Sequence, residues 1–380
     1  MLFALLTLCG LGYLLVALWS ARDFSHAWMG REAGGGFAPD VTILKPVKGV
    51  DPRMYAGFVS HCKQRYAGKF EIVFGVSELD DPAVAEIARL QAEFAECAIR
   101  MVVCAERLGM SGKVSNLVQM LRAASYEYVV INDSDILVSA DYLTRVMAPF
   151  ADASVGLVTA PYVGAASERP TVWAKLEALG IATDFMPGVF TARKVEGGVR
   201  FGLGSTLATT KTTLAKIGGL ETLVDSLADD YEMGARIAAL GMRVELVYEV
   251  VETSVPAYGF AGFWEHQVRW GRTTRDSRKW GYAGVGITYA LPWAVMTCVA
   301  SGFALWSFSL LSVVLLARVA LALSVGVGLL RDEQVLRDLW LLPVRDFFAL
   351  LFWAWSFAGD TVVWRGETFR LKDGKLTRSS

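Results

Sequence analysis

Residues 127–136 read EYVVINDSDI: an apolar run that stops at Asp133 and Asp135, two carboxylates one residue apart. The run has the β-branched content of a buried strand, and the polar residues end it. Like charges this close repel, so the pair is costly unless a cation or hydrogen bonds offset it. Similar runs stand on either side: VTILKPV (41–47), FEIVFGV (70–76), IRMVV (99–103) and VGLVTAP (155–161). Helix-like stretches at 54–66, 83–96, 114–125 and 141–150 separate them. Strands alternating with helices predict a mostly parallel α/β sheet. Ligands bind such sheets beyond the carboxyl ends of the strands, where Asn-Asp-Ser-Asp falls.

The chain of 380 residues is 54% hydrophobic, with a mean hydropathy of +0.39, yet carries 37 basic and 38 acidic residues. That combination fits a charged soluble domain joined to membrane segments. A net charge of -1 gives no reason to expect nucleic acid as a partner. The five cysteines form no Cys-x-x-Cys pair, which reads as reduced thiols in a cytoplasmic compartment. Three scattered histidines do not make a histidine-rich metal site.

Leu2–Trp19 is long enough to cross a bilayer. No Lys or Arg precedes it and Arg22 and Arg31 follow, so an uncleaved anchor (1–21) is expected, with the rest of the chain cytoplasmic. Residues 22–40, rich in glycine, read as a linker to a domain at 41–255. Residues 256–281 interleave Arg269, Arg272, Arg275, Arg278 and Lys279 with Phe260, Phe263, Trp264, Trp270 and Trp280, the pattern of a helix in a headgroup layer. Membrane segments are expected over 282–363. Ala283–Trp306 and Phe308–Leu330 are each long enough to span, and 339–363, interrupted by Pro343, Arg345, Asp346 and Asp360, is re-entrant or interfacial. Arg318 inside the second span needs a buried partner or marks a cavity. A basic cytoplasmic tail, 364–380, closes the chain.

Several polar groups share the expected ligand edge. VSELDDP (76–82) supplies Glu78, Asp80 and Asp81, and SGKVSNL (111–117) supplies Lys113 and Asn116 at a helix start, where a lysine and free amides can meet a phosphate. Asn-Asp-Ser-Asp can hold a hard divalent cation, Mg²⁺ or Mn²⁺. Asp229 and Asp230 open another helix in LADDYEMGARI (227–237), and HQVRW (266–270) follows. Taken singly, each has an ordinary explanation: strand-ending or helix-start acids, a solvated lysine, a membrane-surface helix. Their order and spacing are more specific.

That order resembles the family-2-type glycosyltransferases of GT-A fold, and more closely the ceramide glucosyltransferases and bacterial relatives that glycosylate sphingolipids or hopanoids. VTILKPVKGVDP (41–52), the Asp-Asp-Pro at 80–82, EYVVINDSDI, VGLVTAPYV (155–163), ADDYEMG (228–234) and WRGETFRL (364–371) carry the likeness. The resemblance implies an α/β, Rossmann-like mixed sheet of GT-A type between N-terminal and C-terminal transmembrane helices. It further implies an inverting transfer from a UDP-sugar, glucose first, to the hydroxyl of a lipid such as ceramide. On this pattern Glu78 and Asp81 contact the uridine. Lys113, Asn116, Asp133, Arg269 and Trp270 also serve the nucleotide-sugar, Asp133 and Asp135 bind the metal and diphosphate, and Asp230 is the base. Gly204 and Ser205 of FGLGSTLATTK (201–211), with Asp229, His266 and Gln267, fall in the acceptor and sugar region. The family motif is Gln- or Arg-x-x-Arg-Trp. Here His266 takes the first place and Gln267 stands one position late, while Arg269 and Trp270 match. The membrane would be a plasma or inner membrane in a bacterium, Golgi or ER in a eukaryote. Transfer of GlcNAc or another sugar to a hopanoid or diacylglycerol, and a processive polysaccharide synthase, are the alternative readings. A nucleotide-binding module without turnover and a small transporter are the rivals outside these enzymes.

Overall fold

The computed structural model describes residues 1–29, 36–364 and 367–378. It opens with helix α1 (Leu2–Met29), which continues past Ala21 instead of giving way to a linker. The reason is packing. Phe24 is fully buried against Phe190, with ring centroids 4.8 Å apart, and Asp23 pairs with Arg193 and Lys194. Of the expected linker, residues 30–35 lie outside the described residues.

The domain that follows alternates as expected. β1 (Val41–Pro46), α2 (Met54–Cys62), β2 (Phe70–Val76), α3 (Ala83–Glu93), β3 (Ala98–Val103), α4 (Gly112–Ala123) and β4 (Tyr128–Ile131) form its first half. Then come α5 (Tyr142–Met147), β5 (Val155–Thr159), β6 (Tyr162–Ala166), α6 (Val172–Gly180) and α7 (Met186–Val195). β7 (Leu207–Thr210), α8 (Lys211–Lys216), α9 (Asp229–Ala239), β8 (Arg243–Leu246) and β9 (Val251–Val255) complete it. The seven-stranded sheet has the order β3-β2-β1-β4-β7-β5-β8. All its pairings are parallel except those of β7, which runs antiparallel to β4 and β5. β6 and β9 pair separately, in parallel. Every residue of β1 is buried, as a strand covered on both faces requires. β1, β2 and β4 end on one edge, and the loops leaving them carry Gly49, Glu78–Asp81 and Asn132–Asp135.

The rest of the chain is helical until its end. α10 (Phe260–Ser277) is the aromatic-basic segment, followed by α11 (Lys279–Thr288), α12 (Ala290–Ala300), α13 (Leu305–Ala322), α14 (Gln334–Asp338) and α15 (Leu342–Ser356). Leu2–Trp28 and Leu305–Leu329 are long and apolar enough to cross a membrane, and α11 with α12 qualifies as a third only if a 53° bend is counted within one span. The stretch 283–306, expected to span, is thus divided into two helices. Pro292 lacks an N–H and its ring crowds the carbonyl four residues back, which breaks the helix at Thr288–Tyr289. α1 and α12 touch so closely that a Cβ on Gly10 would stand 2.7 Å from the Ala290 Cα, so only glycine fits.

Arg318 finds its partner in Asp346: Nε and Nη2 both reach the carboxylate, at 2.9 and 2.8 Å, and Nη1 donates to the Thr183 carbonyl. A cavity of about 20 Å³, room for roughly one water, adjoins this pair. The C-terminal segment is no loose tail. β10 (Thr361–Trp364), β11 (Glu367–Lys372) and β12 (Lys375–Arg378) form an antiparallel meander, with Arg365 and Gly366 of WRGETFRL outside the described residues. Val362, Phe369, Leu371 and Leu376 bury a small core against Leu227. Leu376 N donates to Asp225 O and Leu227 N to Gly374 O, so the meander holds the loop that leads into α9.

Candidate active site

The end of β4 is fixed from below. Asn132 is fully buried; its amide donates to Tyr142 Oη at 2.9 Å and to the Ser205 carbonyl at 2.6 Å. His61 meets Asn132 Oδ1 at 3.3 Å, and burial, reinforced by nearby Lys45, lowers its pKa to about 3, so it is neutral. Lys45, fully buried on β1, donates to the Asp133 carbonyl at 3.0 Å. Burial pulls its pKa down to about 7 against the opposing pull of Asp135 and Asp133.

On this support the two acids of Asp-Ser-Asp part company. Asp133 presents its carboxylate to Lys113, with Nζ 2.8 Å from Oδ1. Asp135 turns towards β9, where Oδ2 accepts from Thr253 Oγ1 and Ser254 N, both at 2.7 Å. Burial, then Asp133, raises the Asp135 pKa. The Ser134 hydroxyl between them donates to Asp51 at 3.0 Å.

Lys113 lies in the first turn of α4, whose N-terminus is capped by Ser111 accepting from Val114 N. Its ammonium also stands 3.5 Å from Asp229 Oδ2. Burial works against the charge on Lys113, but Asp133 and Asp229 outweigh it and keep the amine protonated. Asp229 and Asp230 form the start of α9. Burial first, and the neighbouring Asp229 second, raise the Asp230 pKa to about 6, while Tyr231 N donates to Oδ1 at 2.8 Å.

Gly204 ties the two acidic sites together. A Cβ there would lie 3.1 Å from Asp230 Oδ2 and 3.7 Å from Asp133 Oδ2, so both carboxylates look onto the space its missing side chain leaves. Ser205 beside it is buried, and its carbonyl accepts from Asn132. Lys113, Asp133, Asp229, Asp230 and Gly204 thus form one cluster, with Asp135 and Lys45 behind it.

The remaining expected residues surround the cluster. Asp81 accepts from Gly49 N with both oxygens at 3.0 Å and from Ala83 N at 2.9 Å, so it pins the β1–α2 loop to the start of α3. Gly49 takes the left-handed conformation, φ +70°, that this loop needs. Glu78 is exposed at the rim, and Asn116 is buried, accepting from Ser77 Oγ at 3.2 Å. On α10, Trp270 packs among Ala174, Ala178, Ile181 and Val255, with its ring 6.0 Å from Phe185. Phe185 lies 5.7 Å from Tyr162. Burial and then Asp230 raise the Tyr162 phenol, which places that ring beside the acidic cluster. Arg269 sits on the same helix, half-buried.

His266 and Gln267 converge on one partner that sequence reading does not single out. Glu177 of α6, buried, accepts from Gln267 Nε2 at 3.2 Å and meets His266 Nδ1 at 2.9 Å. An acid within WAKLEALG carries one signal, its apolar neighbours, and nothing in the spacing marks it as functional. Lys45 was better advertised: a lysine inside an otherwise apolar strand.

The donor set suits a hard divalent cation, since it offers carboxylate oxygens and no thiolate or imidazole. Among the described residues no three His, Cys, Asp or Glu stand close enough to enclose a metal by themselves. A cation bound at this edge would have to complete its shell with phosphate oxygens or water.

The model of glycosyl transferase family 21 matches residues 2–377. The chain belongs to that family. Among curated proteins this family 21 chain is 24% identical over 234 residues to ceramide glucosyltransferase 3 of Caenorhabditis elegans, covering 61% of this chain and 50% of that one. It is 26% identical over 216 residues to ceramide glucosyltransferase 1 of the same organism, covering 55% and 44%. The chain thus spans about half the length of these relatives. Of solved structures, a mannosyltransferase from Pyrobaculum calidifontis in complex with GDP-Man and Mn²⁺ superposes with a TM-score of 0.53 at 20% identity, over 94% of this chain and 96% of that one. The likeness establishes the mixed, largely parallel glycosyltransferase sheet of GT-A type.

Proposed function

We propose that this family 21 chain is an inverting, membrane-bound glycosyltransferase that moves glucose from UDP-glucose to the primary hydroxyl of a ceramide-like lipid. The observation that carries this reading is Asp230, a carboxylate raised to about pKa 6 that shares the space over Gly204 with Asp133 and the cation Lys113. A base and a diphosphate-binding group stand on either side of one small opening.

Asp81, in the loop after β2, and Asn116, in the second turn of α4, line the place for the nucleoside, with Glu78 at its rim. The diphosphate lies against Lys113, which leaves its ion pair with Asp133 for the phosphate oxygens. Mg²⁺ or Mn²⁺ held by Asp133 and Asp135, as the Mn²⁺ of the Pyrobaculum calidifontis neighbour invites, would neutralise charge on that diphosphate. Asp230, ionised above about pH 6, accepts the proton of the acceptor hydroxyl as its oxygen attacks the anomeric carbon. The bond from that carbon to the diphosphate breaks and UDP leaves with the electron pair. Attack opposite the leaving group turns an α-linked donor into a β-glycoside, and no carboxylate nucleophile is required. Arg269 and Trp270 close the opening from α10, while Glu177 fixes His266 and Gln267 next to them.

The apolar helices give the lipid its route, with the domain on the cytoplasmic side and α10 at headgroup depth. Purified chain in detergent, given Mg²⁺ or Mn²⁺ with UDP-glucose, UDP-GlcNAc or UDP-galactose and with ceramide, diacylglycerol or a hopanoid alcohol, tests the assignment. A single β-glycosylceramide, absent with EDTA, is expected. UDP release or polymer without glycolipid refutes it and favours a polysaccharide synthase.

A further inference from the structure

Across α10 from Trp270 runs a groove of about 540 Å³ that the proposed reaction does not use. Phe260, Trp264 and Val268, one stripe of α10, form one wall; Trp355 of α15 and Val362 and Val363 of β10 form the other. At 3.6 residues per turn, His266 and Trp270 point away from that stripe, towards Glu177 and Phe185. The groove is therefore separated from the acidic cluster by the body of the helix.

Its charge is specific. Arg269 and Arg272 both line it, with Glu265 as the acid. Arg272 is only 9% exposed; its Nη1 donates to the Thr361 carbonyl, yet its Nε is buried without a hydrogen-bond partner. Leaving a guanidinium N–H dry and unpaired is costly, more so than for a neutral donor, so an acceptor belongs there. Arg275 beside it is engaged by the carbonyls of Ser356 and Gly359, and Asp360 is taken by Arg370. Neither supplies that acceptor.

We infer that the groove binds one anionic phospholipid, with its acyl chains along the aromatic wall and its phosphodiester on Arg272. The inference rests on the membrane-bound reading above, not on the donor or acceptor named there. A ceramide brings no charge to the Arg272 guanidinium, and a hydroxyl held here would sit on the far side of α10 from Asp230. The lipid bridges α10 to α15 and β10, and so braces the helix that carries His-Gln-Val-Arg-Trp.

The test is native mass spectrometry of the full chain released from nanodiscs of phosphatidylcholine with and without phosphatidylglycerol. One phosphatidylglycerol per chain is expected to survive conditions that strip the bulk lipid. Ala261→Trp, which fills the groove from an exposed position, should abolish that retention while leaving the melting temperature in detergent unchanged. Arg272→Gln should weaken it about fivefold, the effect of one basic residue at a membrane surface. Equal retention of both lipids, retention unaffected in both variants, or displacement by ceramide would overturn the assignment. Sugar transfer is scored separately, so a chain that keeps its phosphatidylglycerol but forms no glycolipid sinks the catalytic reading and not this one.

Discussion

Replacing Asp230 by Asn separates its catalytic role from its structural cost. The carboxyl is raised to about pKa 6 from an ordinary 3.8. Each pKa unit corresponds to about 1.4 kcal/mol, so the ionised form costs the folded state on the order of 3 kcal/mol. The edge facing Gly204 is open to solvent, which screens part of this, and ~2 kcal/mol is the working figure. Its sign follows from linkage. A raised acid binds its proton more tightly when folded, so stability is lost as pH climbs from about 4 through 6 and is level above. Asn keeps an acceptor for Tyr231 N and never ionises. Asp230→Asn should therefore melt about 4 °C higher than the parent at pH 7.5, in EDTA and without nucleotide, and the gap should close towards pH 4. Turnover should move the other way, falling by about a hundred- to ten-thousand-fold, because the base is gone. In the parent, turnover should fall as pH drops through about 6. A variant that melts no higher at pH 7.5, shows a gap independent of pH, or keeps its activity within tenfold would refute the reasoning.

Lys113→Ala leaves Asp133 and Asp229 facing each other without their shared cation, so the KM for the nucleotide-sugar should rise and kcat/KM fall about a hundredfold, with Lys113→Arg in between; steady-state kinetics checks it. Arg318→Met strands a buried Asp346 and should cost about 3–5 kcal/mol, whereas Arg318→Met with Asp346→Leu should recover most of it, read from melting of the three proteins in one detergent. Deleting residues 361–378 frees the loop 225–227 that precedes Asp229, so kcat should fall more than the melting temperature does.

The strands and the carboxyl edge were legible because both depend on short-range patterns. Apolar runs of four to seven residues with polar stops announce buried parallel strands, and a ligand edge follows from the topology they impose. The antiparallel β7 was not legible, since nothing within Leu207–Thr210 states which neighbours it will have. The same holds for the meander: its basic residues read as a tail, and its apolar Val362, Phe369, Leu371 and Leu376 acquire meaning only once Leu227 is beside them. Helix length in the first segment failed for a related reason. Hydropathy marks where apolar residues stop, whereas α1 continues as far as Phe24 and Asp23 find partners on α7.

The site divides in the same way, and HQVRW shows where the line falls. Asp133, Lys113 and Asp230, which the structure brings together, could be singled out because their chemistry is written in their side chains and a site for a sugar nucleotide calls for those types. Glu177 was not, because its role exists only through what it faces. Yet it makes the departure at His266 intelligible. With a buried carboxylate on α6, position 266 needs a side chain that can donate, and a histidine Nδ1 at 2.9 Å provides one. Gln267, one position late in the motif, spends its amide on the same carboxylate and offers its oxygen to Arg345 of α15 at 3.4 Å. The residue that moved is thus doing a different job from the one its motif suggests: it joins α6 and α10 to α15. A glutamate-to-glutamine change at 177 would keep the shape and remove the charge that His266 meets, so steady-state kinetics should show a loss of turnover larger than any drop in melting temperature.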